Sequence, residues 1–234
     1  MHIRNCSRAV IVNEFNEVLL EKFEFKDKRV ISMEENMSFE NHLKNIPEFE
    51  TDRLFLRKLC FGDLDDVHEF CSNPNVAAPM TWETNKTKET TLQFLEDVIN
   101  GYVNGETGEW GILLKETKKV IGVAAIIDWS NKHKSMEIGY FLSEQYWGKG
   151  IITEALEKII EYGFAELSAN RIEGRCDTDN IGSQKVMKKL GMKYEGTLRK
   201  NEFIKGEFRD TQFYSILANE FNVNKTMIHK LGFL

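Results

Sequence analysis

Residues 136–164 constrain this chain more than any other stretch. Met136-Glu137-Ile138-Gly139-Tyr140-Phe141-Leu142 alternates, with Ile138, Tyr140 and Leu142 on one side, as a strand with one buried face requires. Gln145-Tyr146-Trp147-Gly148-Lys149-Gly150 follows. Beyond it Ile152, Leu156, Ile159, Ile160, Gly163 and Phe164 fall at helical spacing. The order is strand, glycine turn, helix. Such a junction leaves backbone N–H groups unpaired at a helix N-terminus, where the helix dipole favours an anion. Gly148 and Gly150 would let the main chain approach a phosphate with no side chain in the way. The same residues suit an ordinary strand-to-helix turn, so the motif alone leaves both readings open.

Upstream, Arg8–Val12 and Val18–Leu20 are short apolar runs separated by turn-forming residues, which predicts a hairpin. It faintly resembles the opening hairpin of Nudix hydrolases. The glutamate-rich helix of that family does not follow, which argues against pyrophosphohydrolase activity. Residues 26–48 are polar and weakly patterned and are expected to form a linker with a short helix. Leu54, Leu56 and Leu59 predict a strand, and Asp63 an N-cap for a helix carrying Leu64, Val67, His68, Phe70 and Cys71. Asn73-Pro74-Asn75 stops it, and a loop at 76–85 holds Met80 and Trp82. A second helix is expected over 87–102 and strands over 110–115 and 120–128. Past the central helix come a strand at 171–176, a helix over about 181–190 ended by Gly191, and closing strands near 193–203 and 208–217. The tail from Asn219 carries Phe221, Met227, Ile228, Leu231 and Phe233, which suit packing, with a homodimer interface as one candidate place.

With 234 residues and 41% hydrophobic content, the chain can bury one large domain with an appendage. Its net charge of −6 argues against nucleic acid or an anionic membrane as a partner and is compatible with a cationic one. Cys6, Cys60, Cys71 and Cys176 form no C-x-x-C pair, so neither zinc nor a disulfide framework is suggested, and reduced thiols fit a cytoplasmic location. No apolar run approaches the roughly 20 residues of a membrane span.

The glycine turn is joined by a second motif: Asn180-Ile181-Gly182-Ser183, then Leu190-Gly191-Met192. Together they resemble the Gln/Arg-x-x-Gly-x-Gly/Ala loop and the N-x-x-S…L-G-[FM] element of the GNAT acetyltransferases. Arg53-Leu54-Phe55-Leu56-Arg57, Glu137-Ile138-Gly139-Tyr140 and Trp147-Gly148-Lys149-Gly150 look most like the branch that acetylates ribosomal-protein N-termini. The resemblance spans about 49–221. It implies an α/β domain with a mixed, mostly antiparallel sheet, helices on both faces and a splayed central strand pair. Residues 1–48 would form an appendage and 222–234 a tail.

The resemblance further implies acetyl-CoA as donor, bound by Phe141, Leu142, Gln145, Tyr146, Trp147, Gly148, Lys149, Gly150, Ile151, Asn180 and Ser183. Pantetheine would insert beside Ile138–Ser143 and pair with backbone groups of Phe141 and Leu142, where Gly139 suits a bulge or a close backbone approach. Acetyl transfer to an amine needs a neutral nucleophile, a polarised carbonyl and a stabilised thiolate. Ser183 would protonate the thiolate and Glu202, nineteen residues on, would take the amine proton; Glu137 is the rival base. The acceptor implied is a protein or peptide α-amino group, with Met80–Trp82 near its site. A small-molecule amine, or a non-catalytic acyl-CoA-binding module, are the alternatives.

Overall fold

Alternating apolar residues build a sheet, and helical periodicity then decides which of its faces is covered. The computed structural model describes residues 11–12, 18–19 and 39–221. It divides into two units, Met1–Asn36 and Met37–Leu234. In the first, strands β1 (Ile11–Val12) and β2 (Val18–Leu19) pair antiparallel, Ile11 opposite Leu19 and Val12 opposite Val18, as the two apolar runs predict. The linker segment 26–38 and the tail 222–234 lie outside the described residues.

The second unit opens with α1 (Phe39–Lys44), β3 (Phe49–Glu50), β4 (Leu54–Arg57), α2 (Leu64–Cys71), α3 (Pro74–Ala77) and α4 (Lys88–Asn104). It continues with β5 (Gly108–Leu114), β6 (Lys119–Ser130), β7 (Ser135–Leu142), α5 (Ile151–Ala165) and β8 (Arg171–Asp177). It closes with α6 (Ile181–Lys189), β9 (Lys193–Ile204) and β10 (Glu207–Leu217). Eight strands form one sheet in the order β3-β4-β5-β6-β7-β8-β10-β9. Every neighbouring pair is antiparallel except β7–β8, which is parallel because α5 crosses over between them.

Side-chain alternation sorts the helices. Met136 and Ile172 lie under α5, where a Cβ on Gly163 would come within 2.7 Å of Met136 Cε, and Gly174 lies 3.1 Å from Met187 Sδ of α6 by the same construction. On the opposite face Phe141 packs against Phe70 of α2 and Phe94 of α4, with ring centroids 5.8 and 6.4 Å away. The expected architecture is therefore present: a mixed, mostly antiparallel sheet with helices on both faces.

Several local expectations are corrected. The second unit begins before residue 49, because Leu43 and Ile46 are buried in the core and Trp110 Nε1 donates to the Pro47 carbonyl at 2.7 Å. Leu59 lies past the end of β4 and packs over Gly111 instead. Asp63 stands at the N-cap of α2 but makes no side-chain cap. Its carboxylate takes two hydrogen bonds from Arg57, at 2.8 and 2.7 Å, and one from the Cys60 N–H. The stretch after Asn73 is not all loop. Pro74 suits the first helical position, and the Asn73 side chain accepts from the Asn75 N–H, so a short helix forms.

Candidate active site

Strands β7 and β8 pair at Ser135–Arg171, Met136–Ile172 and Glu137–Glu173, and no further. Beyond that point β7 stays with β6 as far as Gly122–Leu142, while β8 stays with β10 as far as Asp177–Thr211. The two strands part, leaving one edge of β7 uncovered. Ser143 donates its N–H to the Ile121 carbonyl at 2.8 Å. Antiparallel alternation then turns the backbone of Phe141 toward β6, and those of Tyr140 and Leu142 toward the gap. This corrects the expectation for Phe141: its ring lines the cavity described next, but its peptide groups belong to the β6 ladder, and Tyr140 takes its place on the open edge. The Leu142 carbonyl accepts from Trp147 Nε1 at 2.8 Å. The bulge sits on β6, where the register slips between Ile126 and Asp128. A Cβ on Gly139 would lie 2.8 Å from Ile127 Cγ2, so glycine there accommodates the neighbouring strand's bulge.

A cavity of about 630 Å³ opens beside that edge. Tyr140, Phe141, Leu142, Tyr146, Trp147, Gly148, Gly150 and Ile151 form one wall, and Asn180 and Ser183 are on the other. Gly148 and Gly150 have φ of +74° and +75°, the left-handed region that favours glycine. No side chain caps the N-terminus of α5, so its first N–H groups lack a side-chain partner. Two expected residues fall outside the lining. Gln145 Nε2 donates to Glu69 on α2 at 3.0 Å, and Lys149 lays its ammonium over the Tyr146 ring, 5.3 Å from the centroid.

The loop is buttressed from behind by residues to which the sequence motifs assigned no site role. Arg53 Nη1 donates to the Lys149 carbonyl at 2.9 Å, and Arg53 Nε to Glu154 at 2.6 Å. Thr51 Oγ1 also donates to Glu154. Burial pulls the Glu154 carboxyl upward, but the hydrogen bonds from Thr51 and Arg53 hold it below the usual carboxylate range. The available signal was Glu154 itself, an acidic residue in the first turn of α5, where a carboxylate suits the helix dipole.

On the far wall Asn180 Oδ1 accepts from the Ser183 N–H at 3.0 Å, so Asn180 is the helix cap and the Ser183 hydroxyl is not needed for that purpose. The Tyr140 hydroxyl donates to the Ser183 carbonyl at 3.3 Å, and burial raises its pKa. Met80 and Pro79 close the cavity from the α3 side, while Trp82 packs its ring 5.5 Å from Phe141. A second hollow, about 570 Å³, shares Pro79, Asp179 and Asn180 with the first and carries Asp177, Glu207, Asp210 and Arg209.

The two candidate bases lie at neither lining but at one guanidinium. Arg175 Nε is 2.7 Å from Glu137 Oε1, and Arg175 Nη1 is 3.1 Å from Glu202 Oε1. The Glu137 contact is an ion pair without hydrogen-bond alignment, and that oxygen is buried. Burial raises the Glu137 pKa; Arg175 opposes the shift, and Glu173 and Asp128 add to it. Among the described residues no helix is long and apolar enough to cross a membrane.

Residues 53–193 match the model of the acetyltransferase (GNAT) domain family. The chain is 35% identical over 175 residues to the uncharacterized N-acetyltransferase p20 of Bacillus licheniformis, covering 73% of this chain and 96% of that one. It is 33% identical over 104 residues to a Bacillus subtilis protein provisionally named a ribosomal N-acetyltransferase, YdaF, covering 44% and 57%. The crystal structure of a GNAT-family acetyltransferase from Bacillus anthracis superposes with a TM-score of 0.66 at 29% identity, over 74% of this chain and all of that one. The faint Nudix likeness gains no support, since the family match starts at residue 53.

Proposed function

The chain belongs to the GNAT acetyltransferase family, and from that premise we propose that it moves the acetyl group of acetyl-CoA to the α-amino group of a protein or peptide. The observation that carries the reading is the parting of β7 from β8 after Glu137–Glu173, with the cavity beside the freed edge. The residues there fit the donor. An extended amide chain can pair with the open backbone of Tyr140 and the Leu142 N–H. A pyrophosphate suits the uncapped α5 terminus, where a Cβ on Gly148 would meet nothing within 4 Å. Bound there, acetyl-CoA supplies an activated thioester.

The chain's own residues do the rest. Tyr146, Trp147, Gly148, Gly150 and Ile151 hold the phosphates, and Asn180 holds the α6 terminus against the gap. Glu202 takes a proton from the incoming ammonium: an N–H bond breaks, an O–H bond forms, and the freed lone pair attacks the acetyl carbon. As the C–N bond forms the C–S bond breaks; Ser183 gives a proton to the departing sulfur, and its oxygen regains one from the acylated nitrogen, which sheds its second proton. Glu137 remains the rival base. The catalytic domain in this reading is 37–221, with the first unit as an appendage. The relative YdaF, provisionally named a ribosomal N-acetyltransferase, supports a ribosomal protein as the source of the acceptor amine. The carboxylates of Asp177, Asp179, Glu207 and Asp210 in the second hollow favour another reading, a small cationic amine.

The test is CoA release from acetyl-CoA with a panel of N-terminal peptides and small amines. Turnover with peptides supports the proposal. Turnover confined to polyamines or amino acids moves the acceptor to the second reading, and tight donor binding with no release from any amine refutes catalysis.

A further inference from the structure

Arg175 stands on β8 two residues past the last β7–β8 pair, at the mouth of the gap. Its side chain is the bridge between the two carboxylates that compete for the role of base: Glu137 on β7 at 2.7 Å and Glu202 on β9 at 3.1 Å. The neighbouring cation is already engaged. Arg171 donates to Glu173 at 2.8 Å and to Glu195 at 2.7 Å. Glu137 therefore faces Glu173 on β8 and Asp128 on β6 as like charges, and Arg175 as the opposing one. The side chain of Glu202 is 27% exposed and that of Glu137 12%, so an arriving cation reaches Glu202 first.

The geometry points to Arg175 as a positioning residue for acceptor deprotonation: it holds Glu137 and Glu202 on one guanidinium, so that an incoming ammonium can take its place at Glu202 while Glu137 stays paired. This rests on the reading that the chain acetylates an amine. Without Arg175, Glu137 would face Glu173 and Asp128 with no opposing cation, and Glu202 would keep only Arg209, opposite it on β10. A buried carboxylate amid like charges keeps its proton to higher pH. Losing an opposite charge within ~4–6 Å raises a carboxyl pKa by about 1–3 units. The guanidinium fork also matters: it presents Nε to one carboxylate and Nη1 to the other, which a lysine ammonium, a point charge, reproduces only in part.

The experiment is the pH profile of kcat/KM for wild type, Arg175→Met and Arg175→Lys, with thermal unfolding and the KM for acetyl-CoA measured alongside. The acid limb should move up by about one pH unit or more in Arg175→Met and by less in Arg175→Lys. The KM for acetyl-CoA should stay unchanged, because Arg175 does not line the donor cavity. A merely structural arginine would instead lower the rate by one factor at every pH, and that result, or an unmoved limb, overturns the inference. Should Arg175→Met fail to fold, the limb of Arg175→Lys decides alone. Should no amine in the panel turn over, the acetylation reading fails separately. Titration of Glu137 and Glu202 by carboxyl-carbon NMR then decides: a higher midpoint in the Arg175 variants supports the bridge, and an unchanged one refutes it.

Discussion

Replacing Gly148 with valine separates the two things that residue does. Its φ of +74° lies in the left-handed region, where a side chain costs about 1–2 kcal/mol. A Cβ there would meet nothing within 4 Å, so no clash adds to that strain. For a domain of this size the strain corresponds to a fall in Tm of about 2–8 °C. Binding should suffer on top of this. The branched side chain would stand where a phosphate approaches the loop, and losing one hydrogen bond to a charged group costs about 1.5–3 kcal/mol. That is about 10- to 100-fold in Kd for acetyl-CoA. Gly148→Ala is the control, since it carries the strain with less bulk and should fall between. Calorimetric titration with acetyl-CoA, beside thermal unfolding, reads both quantities. A folded Gly148→Val protein with the expected Tm and wild-type affinity would remove the loop from the donor site.

Other expectations can be read from the same preparations. Arg53→Met should loosen the loop by freeing the Lys149 carbonyl and Glu154, with a several-fold rise in Kd for acetyl-CoA by titration; the arginine is partly exposed, so screening limits the effect. Deleting residues 1–36 should leave turnover near wild type. Deleting 1–48 should unfold the domain at lower temperature, because it removes Leu43 and Ile46, and truncating one such core residue to alanine costs about 2–5 kcal/mol. Glu202→Gln should lower turnover by about 100- to 10,000-fold at low pH and recover as the pH nears the ~8 of an α-amino group, where free amine exists without a base. Ser183→Ala should show a defect that higher pH does not rescue; a Glu202→Gln profile that tracks wild type at every pH assigns the base elsewhere.

The sheet and its helices were legible because their signals are local. Period-two alternation in 136–142 and period 3.6 in 152–164 survive without knowledge of neighbours. Thr87 caps α4 through its side chain and Gly105 ends it at φ 75°, as turn chemistry allows. The errors arose where a partner distant in sequence decided the outcome. Asp63 was drawn from its cap to Arg57, a charged donor that makes two hydrogen bonds. The polar segment before residue 49 looked like linker, yet Leu43 and Ile46 are buried in the core, Leu43 beside Gly108 of β5. Two apolar residues spaced three apart are too weak a pattern to announce a core contact.

The candidate site divides along the same line. Motif residues Tyr146, Trp147, Gly148, Gly150, Ile151, Asn180 and Ser183 line one cavity because glycine geometry and a helix cap are written into adjacent positions. What could not be read was any property set between strands. Which peptide groups of β7 face the gap depends on the β6 register, and one residue of phase moved the open edge from Phe141 to Tyr140. The choice between Glu137 and Glu202 is of the same kind. Treated as rivals along the sequence, they share Arg175 in space, so the protonation of one carries the charge felt by the other. A single-site base is then an incomplete description of this surface. Removing either carboxylate leaves the guanidinium to the other alone, so the two positions are coupled through Arg175. The two single replacements, Glu202→Gln and Glu137→Gln, should therefore be non-additive.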